Sequence, residues 1–317
     1  MNKKLAISIV IPTMNRPDTL ENTLSSYIEG DYIPSQIIIV DQSQDEILKR
    51  KNKELIDKKT NNTGIEYKYI FQQEPSSTKA RNNAMEYLDN EIVIYSDDDV
   101  LVYSDTLLNV YEIMKDKKIS MIAGIDDNAI ESNSKIGYLF GTKSFKNRKI
   151  GHVTNSMLGR YPNYIDDEIQ TQWAMGYFFV VRKSCLIDWN LRWDENLSSY
   201  AYSEDLDFSF TYYKNSAREG DKCILTNKVH VRHMVSQEYR VPSKKSTFMY
   251  VINRRYLIHK HQMGIKAVLA AEWCDFWILL KRTLYKENSK DMKRALKVAR
   301  KNKKDICEGN LKELYDL

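Results

Sequence analysis

The sequence has few of the residues that mark disulfide-rich, metal-finger and fibrous proteins. Its 317 residues include only 11 glycines and 6 prolines, too few for a fibrous or low-complexity chain. The four cysteines form no C-x-x-C pair and show no metal-ligand spacing; they are Cys185, Cys223, Cys274 and Cys307. The cysteine content therefore predicts reduced thiols in a cytosolic protein.

Long apolar runs are also missing. No stretch reaches the roughly 18 uncharged apolar residues of a membrane span, and the nearest, residues 265–280, contains three charged side chains. The N-terminus begins like a signal peptide, but Pro12 interrupts the apolar run early and no small-residue cleavage site follows. Residues 5–11 are therefore interpreted as a first β-strand.

The formal net charge of +5 combines two unequal parts. Residues 244–317 contain 18 basic and 8 acidic side chains, whereas residues 1–243 contain 30 basic and 35 acidic ones. We interpret residues 1–243 as one large α/β domain and residues 244–317 as a basic helical C-terminal region. Such a region indicates contact with an anionic surface, either membrane or nucleic acid, unless it is only a solvated helix face.

Strands and helices alternate along the first hundred residues. Apolar, β-branched runs predict strands at 5–11, 36–40, 67–71 and 92–95. Helical spacing predicts helices between them, at 19–29 (capped by Asp18 or Thr19), 43–63 and 78–88. This order predicts a parallel sheet with ligands at the carboxyl ends of its strands. Polar residues just after the strands are therefore the site candidates: Pro12, Thr13, Asp41 and Asp97 to Asp99.

The rest of the chain is less regular. Further strands are predicted at 121–124, 176–181 and 223–233. Residues 203–213 predict a helix with Leu206, Phe210 and Tyr213 on one face. Nearly everything after residue 243 has the pattern of helix.

Three consecutive aspartates, Asp97 to Asp99, directly follow a buried strand. Carboxylates this close raise one another's pKa, and a divalent cation relieves the repulsion. Mg²⁺ and Mn²⁺ both favour carboxylate oxygen, commonly with substrate phosphates completing the shell. A capped helix N-terminus or a solvated turn is the alternative, but the place at the end of a strand favours a metal site.

Taken together, six segments resemble family 2 glycosyltransferases with the GT-A fold, in the family's order across about residues 5–235. The segments are 8–24 (SIVIPTMNRPDTLENTL), 37–43 (IIIVDQS), 80–99 (ARNNAMEYLDNEIVIYSDDD), 174–186 (AMGYFFVVRKSCL), 192–196 (RWDEN) and 203–209 (SEDLDFS). The resemblance implies a mostly parallel central sheet flanked by helices. It also implies an inverting, metal-dependent transfer from a nucleotide sugar, with a nucleotide-binding half at 1–100 and an acceptor and catalytic half at 101–243.

The resemblance assigns roles to individual residues. Asp99 would be the main ligand of Mn²⁺ or Mg²⁺ with Asp97 assisting, and Asp205, preceded by Glu204, would take the proton from the acceptor hydroxyl. Trp173, Met175 and Gly176 would form the sugar and acceptor pocket. The nucleotide and donor would contact Pro12, Thr13, Asn15, Arg16, Asp41, Gln42, Arg81, Asp97 and Asp98.

Two assignments remain open at this point. His233 matches the position where related transferases place a histidine on the metal or diphosphate; His230 competes, and strand alternation argues against both facing the site. Gln42 stands where members that use uridine donors often have a second aspartate. Its amide can donate and accept, so UDP-, dTDP- and GDP-linked sugars all remain candidate donors.

The C-terminal region combines an aromatic stretch with a basic one. Residues 265–280 include Trp273, Phe276 and Trp277, and residues 281–304 contain 11 lysines and arginines. This combination is typical of an interfacial helix on an anionic membrane surface; packing on the catalytic domain or a contact in a homo-oligomer would also account for it. With an acidic, metal-dependent body, a nucleic-acid partner is the least favoured use of the charge.

The sequence therefore predicts a cytosolic transferase, peripheral at the inner face of the cell membrane. It would move a sugar onto a surface-polysaccharide, teichoic-acid-like or lipid-linked glycan acceptor in cell-envelope synthesis. Two other functions are weighed: a nucleotidyltransferase of sugar-nucleotide metabolism and a non-catalytic glycan-binding or scaffold protein. The first lacks the expected Gly-rich phosphate loop with a lysine near the N-terminus, and the second gives no reason to keep Asp97, Asp99 and Asp205.

Overall fold

The computed structural model describes residues 2–127, 135–142, 150–162, 165, 167–198, 202–236 and 242–317. The strands are β1 (Lys3–Thr13), β2 (Tyr32–Asp41), β3 (Glu66–Phe71), β4 (Ile92–Ser96), β5 (Val100–Val102), β6 (Ile119–Asp126), β7 (His152–Val153), β8 (Gly159–Arg160), β9 (Glu168–Gln170), β10 (Phe178–Arg182) and β11 (Lys222–His233). The helices are α1 (Pro17–Ile28), α2 (Glu46–Thr60), α3 (Ser77–Met85), α4 (Thr106–Ile113), α5 (Lys135–Leu139), α6 (Lys183–Asp188), α7 (Glu204–Glu219), α8 (Ser243–Lys260), α9 (Gly264–Leu284), α10 (Ser289–Lys301) and α11 (Lys303–Glu308), followed by a 3₁₀ turn at Lys312–Asp316.

Within the described residues, one large sheet has the order β3-β2-β1-β4-β10-β6-β11-β5, and β9 pairs with β11. The predicted parallel arrangement holds for β3, β2, β1 and β4. The other half is mixed, because β10 runs antiparallel to both neighbours, β4 and β6. The sheet flanked by helices confirms the predicted α/β fold class, with the correction that parallel pairing is confined to the nucleotide-binding half and to β6 with β11.

Helices cover both faces of the sheet and create two hydrophobic cores. Along β1, Ile7, Ile9 and Ile11 belong to one core while Val10 belongs to the other, as the two-residue period of a strand requires. All four side chains are fully buried. The continuous apolar run thus has the cause predicted from the sequence, a central strand covered on both faces.

The N-terminal caps of α1 and α2 are formed in different ways. α1 begins at Pro17, with Arg16 at the N-cap and no side-chain cap hydrogen bond, so the predicted cap by Asp18 or Thr19 is wrong. Proline suits this position because it has no N–H to satisfy and its φ is already helical. By contrast, Asp45 caps α2 and accepts hydrogen bonds from the backbone N–H groups of Ile47 and Leu48.

One further prediction needs correction among the later elements. The strand predicted from Gly176 begins at Phe178, because the Gly176 N–H donates to the Asp205 carboxylate instead of joining the sheet. The helix predicted over 203–213 is confirmed as α7, and Leu206, Phe210 and Tyr213 lie along one side of it and pack against the core. Phe208 and Tyr212 are further buried aromatics of this helix.

The C-terminal helices share a core with the rest of the chain. Buried side chains of α8, among them Phe248, Val251 and Leu257, belong to the same hydrophobic cluster as Val10 of β1. The predicted boundary at residue 243 therefore coincides with the start of a helix but not with a gap in the core. The four cysteines are free thiols, as predicted. In the part of the chain described here, no helix is both long enough and apolar enough to cross a membrane.

Candidate active site and family

A cavity of about 620 Å³ lies at the carboxyl ends of β1 and β4. Fourteen of the sixteen site residues predicted from the sequence line it: Pro12, Thr13, Arg16, Gln42, Arg81, Asp97, Asp98, Asp99, Trp173, Met175, Gly176, Glu204, Asp205 and His233. The other two, Asn15 and Asp41, do not line it: Asp41 is fully buried and Asn15 is partly buried. The chain segments that meet here are far apart in sequence, and the parallel strands bring them to one edge of the sheet.

A candidate metal site is formed by Asp97, Asp99 and His233, each of which offers a ligand atom within 4.8 Å of the others. His233 Nε2 lies 3.1 Å from Asp99 Oδ1, and the Ser236 N–H donates to Asp99 Oδ2 at 2.9 Å. Burial opposes ionisation of both groups, but their mutual contact prevails, lowering the pKa of Asp99 and raising that of His233. Two carboxylates and an imidazole suit Mn²⁺, and carboxylates suit Mg²⁺.

The alternative histidine points elsewhere. His230 Nδ1 lies 3.3 Å from Asp127 Oδ1, and its ring stacks on Tyr103 with centroids 4.6 Å apart. His233, three residues further along β11, stacks on Tyr177 inside the cavity. The geometry thus separates the two histidines and brings only His233 of this pair to the aspartates.

Asp98 ties β4 to the loop after β1. Its carboxylate accepts a 2.7 Å hydrogen bond from Thr13 Oγ1 and lies 3.3 Å from an Arg16 nitrogen. Thr23 Oγ1 donates to its backbone carbonyl. Burial raises the pKa of Asp98 to about 7 despite these partners. Asp98 therefore fixes the predicted nucleotide loop, while Asp97 and Asp99 face the cluster with His233.

Arg81 lies between the candidate metal site and the pair of Glu204 and Asp205. Its guanidinium lies 3.1 Å from Asp97 and 3.0 Å from Glu204, and it stacks 4.5 Å from the Trp193 ring. Burial raises the pKa of Glu204 to about 8, and neighbouring Asp205 adds to the rise. Among the described residues of the wall, six carboxyl groups face three arginines, an excess of acid that a divalent cation would relieve.

Asp205 sits in the first turn of α7 with its carboxylate held by backbone donors. Oδ2 accepts from the Gly176 N–H at 2.9 Å and Oδ1 from the Leu206 N–H at 2.7 Å. Burial nevertheless raises the pKa of Asp205 above its ordinary value, toward the range useful for a general base. A Cβ on Gly176 would lie 3.1 Å from the Asp205 Cβ, so the glycine permits this close approach.

Three of the predicted nucleotide-binding residues follow the carboxyl ends of β1 and β2: Asn15, Asp41 and Gln42. Asp41 is fully buried, and its carboxylate accepts hydrogen bonds from Ser43 N–H, Asn52 and Tyr69. Asn15 adopts a left-handed φ of 58°, which asparagine tolerates. Gln42 lines the cavity, and its Oε1 accepts a 2.6 Å hydrogen bond from the Ser76 N–H. The amide orientation of Gln42 is thereby fixed.

Sequence reasoning missed several residues of the wall, notably Leu158, Gly159, Arg160 and Tyr202. They come from the irregular stretch after β6 and from the turn before α7, where neither periodicity nor a motif distinguishes them. Trp173 is both buried and cavity-lining, so it belongs to the core as well as to the wall of the cavity.

Gly159 is expected to be intolerant of a side chain. An added Cβ would overlap the Trp173 ring, so we expect Gly159→Ala to lower the free energy of unfolding by about 1–3 kcal/mol, typical of overpacking. Urea denaturation measures this. The control is Gly30→Ala, whose Cβ would meet only a carbonyl oxygen at 3.6 Å; equal losses in the two variants would contradict the expectation.

Helix α8 packs against the cavity wall that contains Arg160 and Tyr202. Asn253 Nδ2 donates to the Tyr202 carbonyl and Arg254 Nε to the Ser156 carbonyl, each at 2.8 Å. At the end of α8, Lys260 lies 2.7 Å and His261 2.9 Å from the carboxylate of Asp207 on α7, the helix that carries Asp205. These contacts lower the pKa of Asp207, although burial alone would raise it.

Asp207→Ala is expected to destabilise the fold by about 1–3 kcal/mol at pH 7, because Lys260 and His261 lose a buried carboxylate partner and Lys260 keeps only Asp194. A lowered folded-state pKa stabilises the protein above the unfolded value of about 3.9, and the contribution disappears as pH falls through the folded value. Urea denaturation at neutral and acidic pH should therefore show the gap to wild type narrowing below about pH 3.9. Glu219→Ala, at the exposed end of α7, is the control; a pH-independent gap would contradict the assignment.

A family model described as glycosyl transferase family 2 matches residues 8–188, which include β1, the three aspartates and Gly176. The chain belongs to glycosyl transferase family 2. The protein is a glycosyltransferase, and the predicted family is confirmed. A search of curated proteins by sequence found no match.

Solved structures show that the transferase has the GT-A fold. S. aureus TarS 1-349 shares 15% identity with a TM-score of 0.52, covering 88% of this chain and 72% of that one. The mannosyltransferase PcManGT from Pyrobaculum calidifontis, in complex with GDP-Man and Mn²⁺, shares 12% identity with a TM-score of 0.53 over 94% and 75%. GalNAc-T7 with UDP, GalNAc and Mn²⁺ shares 18% identity with a TM-score of 0.56 over 84% and 54%. At these identities the likeness concerns the fold.

Proposed function

We propose that this transferase is metal-dependent and inverting, and that it moves a sugar from a nucleotide-diphosphate donor to a glycan acceptor. The observation that carries the proposal is the placement of the Asp97, Asp99 and His233 cluster and of Asp205 on the wall of one cavity, with Arg81 paired between them. Different residues can therefore act on the leaving group and on the acceptor. The cluster would receive the leaving diphosphate, and Asp205 would receive the proton of the acceptor hydroxyl.

The residues divide the work in a single displacement. When bound, Mn²⁺ or Mg²⁺ would neutralise the developing charge of the leaving diphosphate; Asp97, Asp99 and His233 would hold it. Asp205 accepts the proton of the acceptor hydroxyl at its carboxylate as the new glycosidic bond forms. Arg81 keeps Asp97 and Glu204 in place and adds a fixed positive charge near the diphosphate. Because the acceptor oxygen bonds to the anomeric carbon from the face opposite the diphosphate as the bond to the diphosphate breaks, the anomeric configuration inverts.

The donor would lie across Thr13, Arg16 and Gln42, at the carboxyl end of β1. Relatives in fold carry UDP-GlcNAc, GDP-Man or UDP in their structures, so a nucleotide-linked sugar is the proposed donor class here, dTDP-linked sugars included. With Gln42 Oε1 engaged by the Ser76 N–H, its amide N–H₂ is oriented to donate to a base carbonyl.

The acceptor would enter beside Trp173, Met175 and Gly176. Arg160 and Tyr202 extend this wall, and together they offer an aromatic platform and a cation, as a sugar chain with an attached phosphate requires. We propose a surface-polysaccharide, teichoic-acid-like or lipid-linked glycan as the acceptor class, with the enzyme acting in cell-envelope synthesis at the inner face of the membrane.

A thermal-shift screen of nucleotide sugars with and without Mn²⁺ tests the proposal. A bound donor raises Tm in proportion to its affinity, so one nucleotide sugar should raise Tm, and only when Mn²⁺ is present. Release of pyrophosphate from a nucleoside triphosphate would instead indicate the nucleotidyltransferase. Binding of a glycan with no response to any nucleotide sugar would indicate the non-catalytic alternative.

A further inference from the structure

Helix α9 exposes several large apolar side chains to solvent. Its fully buried residues, Ala267, Ala271, Cys274 and Asp275, are small or charged, and Ile278 and Leu279 near its C-terminal end pack against the core. Its solvent-facing side carries the large residues, with exposed fractions of 70% for Ile265, 62% for Leu269, 46% for Trp273, 52% for Phe276 and 70% for Leu284. These recur at helical spacing, so they form one stripe along the helix. A continuous row of exposed apolar side chains of this kind marks a contact surface.

The stripe continues onto the short helix α5. Trp273 Nε1 donates to the Leu139 carbonyl at 3.0 Å, and Trp277 stacks on Phe140 with ring centroids 3.8 Å apart. Leu139 itself is 67% exposed and Ile136 66%. The two helices therefore present one apolar face, which we call the α5–α9 face.

The opposite edge of this face is basic. Glu272 of α9 is paired with Arg255 and, from α10, with Arg300 at 2.5 Å. Lys293 and Lys297 lie seven and three residues before Arg300 and are exposed, so helical geometry puts them on the same side of α10. Two arginines thus neutralise Glu272, and the exposed lysines lie on the same side of α10 as Arg300, which contacts α9.

The face adjoins the acceptor end of the active site. Thr142 follows α5, and its carbonyl accepts a 2.8 Å hydrogen bond from Arg160, which lines the cavity. Cys274 of α9 lies beneath Gly141 in the same segment. A molecule lying on the α5–α9 face would reach the cavity from its acceptor side.

We propose that the α5–α9 face docks the enzyme on the anionic surface of a lipid bilayer, with the apolar stripe at the headgroup boundary and the α10 lysines against the headgroups. Apolar residues bordered by lysines are the pattern of interfacial helices. A second copy fits less well, because a two-fold contact would bring the same basic edges together. Resting on the proposed function, this placement also selects the acceptor class: a glycan carried on a membrane lipid.

Co-sedimentation of the full chain with vesicles tests the proposal. We expect binding to vesicles that contain phosphatidylglycerol and much weaker binding to phosphatidylcholine alone. Leu269→Glu with Phe276→Glu should abolish it. Lys293→Glu with Lys297→Glu should weaken it at least about tenfold, and only on anionic vesicles. The matched control is Ile47→Glu with Ile187→Glu, which places acid at residues equally exposed on α2 and α6 and should change nothing.

Three outcomes would overturn the proposal: no binding by the wild type, equal binding to neutral vesicles, or equal losses in the control. A concentration-dependent dimer that only Leu269→Glu with Phe276→Glu dissociates would assign the face to a second copy instead. Thermal shift with nucleotide sugar and Mn²⁺ runs in parallel on each variant. A variant that still binds the nucleotide sugar but no longer co-sediments with vesicles has lost only the docking contact. A wild type that binds vesicles but no nucleotide sugar would count against the proposed function alone.

Discussion

Replacing Asp205 with asparagine is expected to reduce kcat by about 10²–10⁴-fold, the usual contribution of a general base, with little change in donor affinity. The amide cannot take the acceptor's proton at pH 7. It keeps one oxygen to accept from the Gly176 or Leu206 N–H, so the first turn of α7 should stay in place. Because Asp205 lies outside the Asp97, Asp99 and His233 cluster, metal-dependent binding of the nucleotide should survive.

Two measurements together decide the role of Asp205. Initial rates of transfer give kcat, and calorimetric titration of the nucleotide sugar with Mn²⁺ gives the donor affinity. Glu219→Gln, which makes the same carboxylate-to-amide change at the exposed end of α7, controls for charge on the helix. Turnover of Asp205→Asn at the wild-type rate would remove Asp205 as the base and direct attention to Glu204.

Replacing Asp99 with alanine is expected to weaken Mn²⁺ binding by at least about 100-fold. Loss of an outer-shell partner alone commonly costs 10–100-fold, and Asp99 is here both a ligand candidate and the hydrogen-bond partner of His233. Without the metal the five remaining carboxyl groups of the wall repel a diphosphate, so nucleotide binding should fall with metal binding.

Titration of Mn²⁺ by electron paramagnetic resonance measures the metal affinity directly. Asp127→Ala is the matched control, since Asp127 contacts His230 and lies outside the metal cluster. Unchanged Mn²⁺ affinity in Asp99→Ala would show that the cluster does not hold the metal. A drop in nucleotide affinity at unchanged metal affinity would place Asp99 on the donor instead.

The nucleotide-binding half could be predicted from the sequence because its signals are local. Buried strands such as β1 are continuous apolar runs, and Asp97 to Asp99 follow β4 directly, so the ends of the strands and the polar residues there are visible in one short window. Strand alternation predicted that His230 and His233 do not both face the site, and of these two the structure brings His233 to the aspartates.

The other residues of that side of the cavity, Arg160 and Tyr202, could not be predicted, because contacts with distant parts of the chain position them. Arg160 donates to the Thr142 carbonyl, 18 residues earlier, and the Tyr202 carbonyl accepts from Asn253, 51 residues later. No periodicity encodes such pairings. The same holds for β10, whose apolar run predicts a strand but contains nothing that specifies antiparallel pairing to β4 and β6.

The hydrogen bonds and ion pairs between α8 and the cavity wall limit which segments of this enzyme can be replaced by those of related transferases. A chimaera joined at residue 243 would separate Asn253 from Tyr202, Arg254 from Ser156 and Lys260 from Asp207. Acceptor loops grafted without their own α8 would lose the groups that hold them. A chimaera designed to change specificity must therefore include α8 together with the loops that it contacts. The C-terminal helices and this wall of the cavity then form one structural unit that is exchanged as a whole.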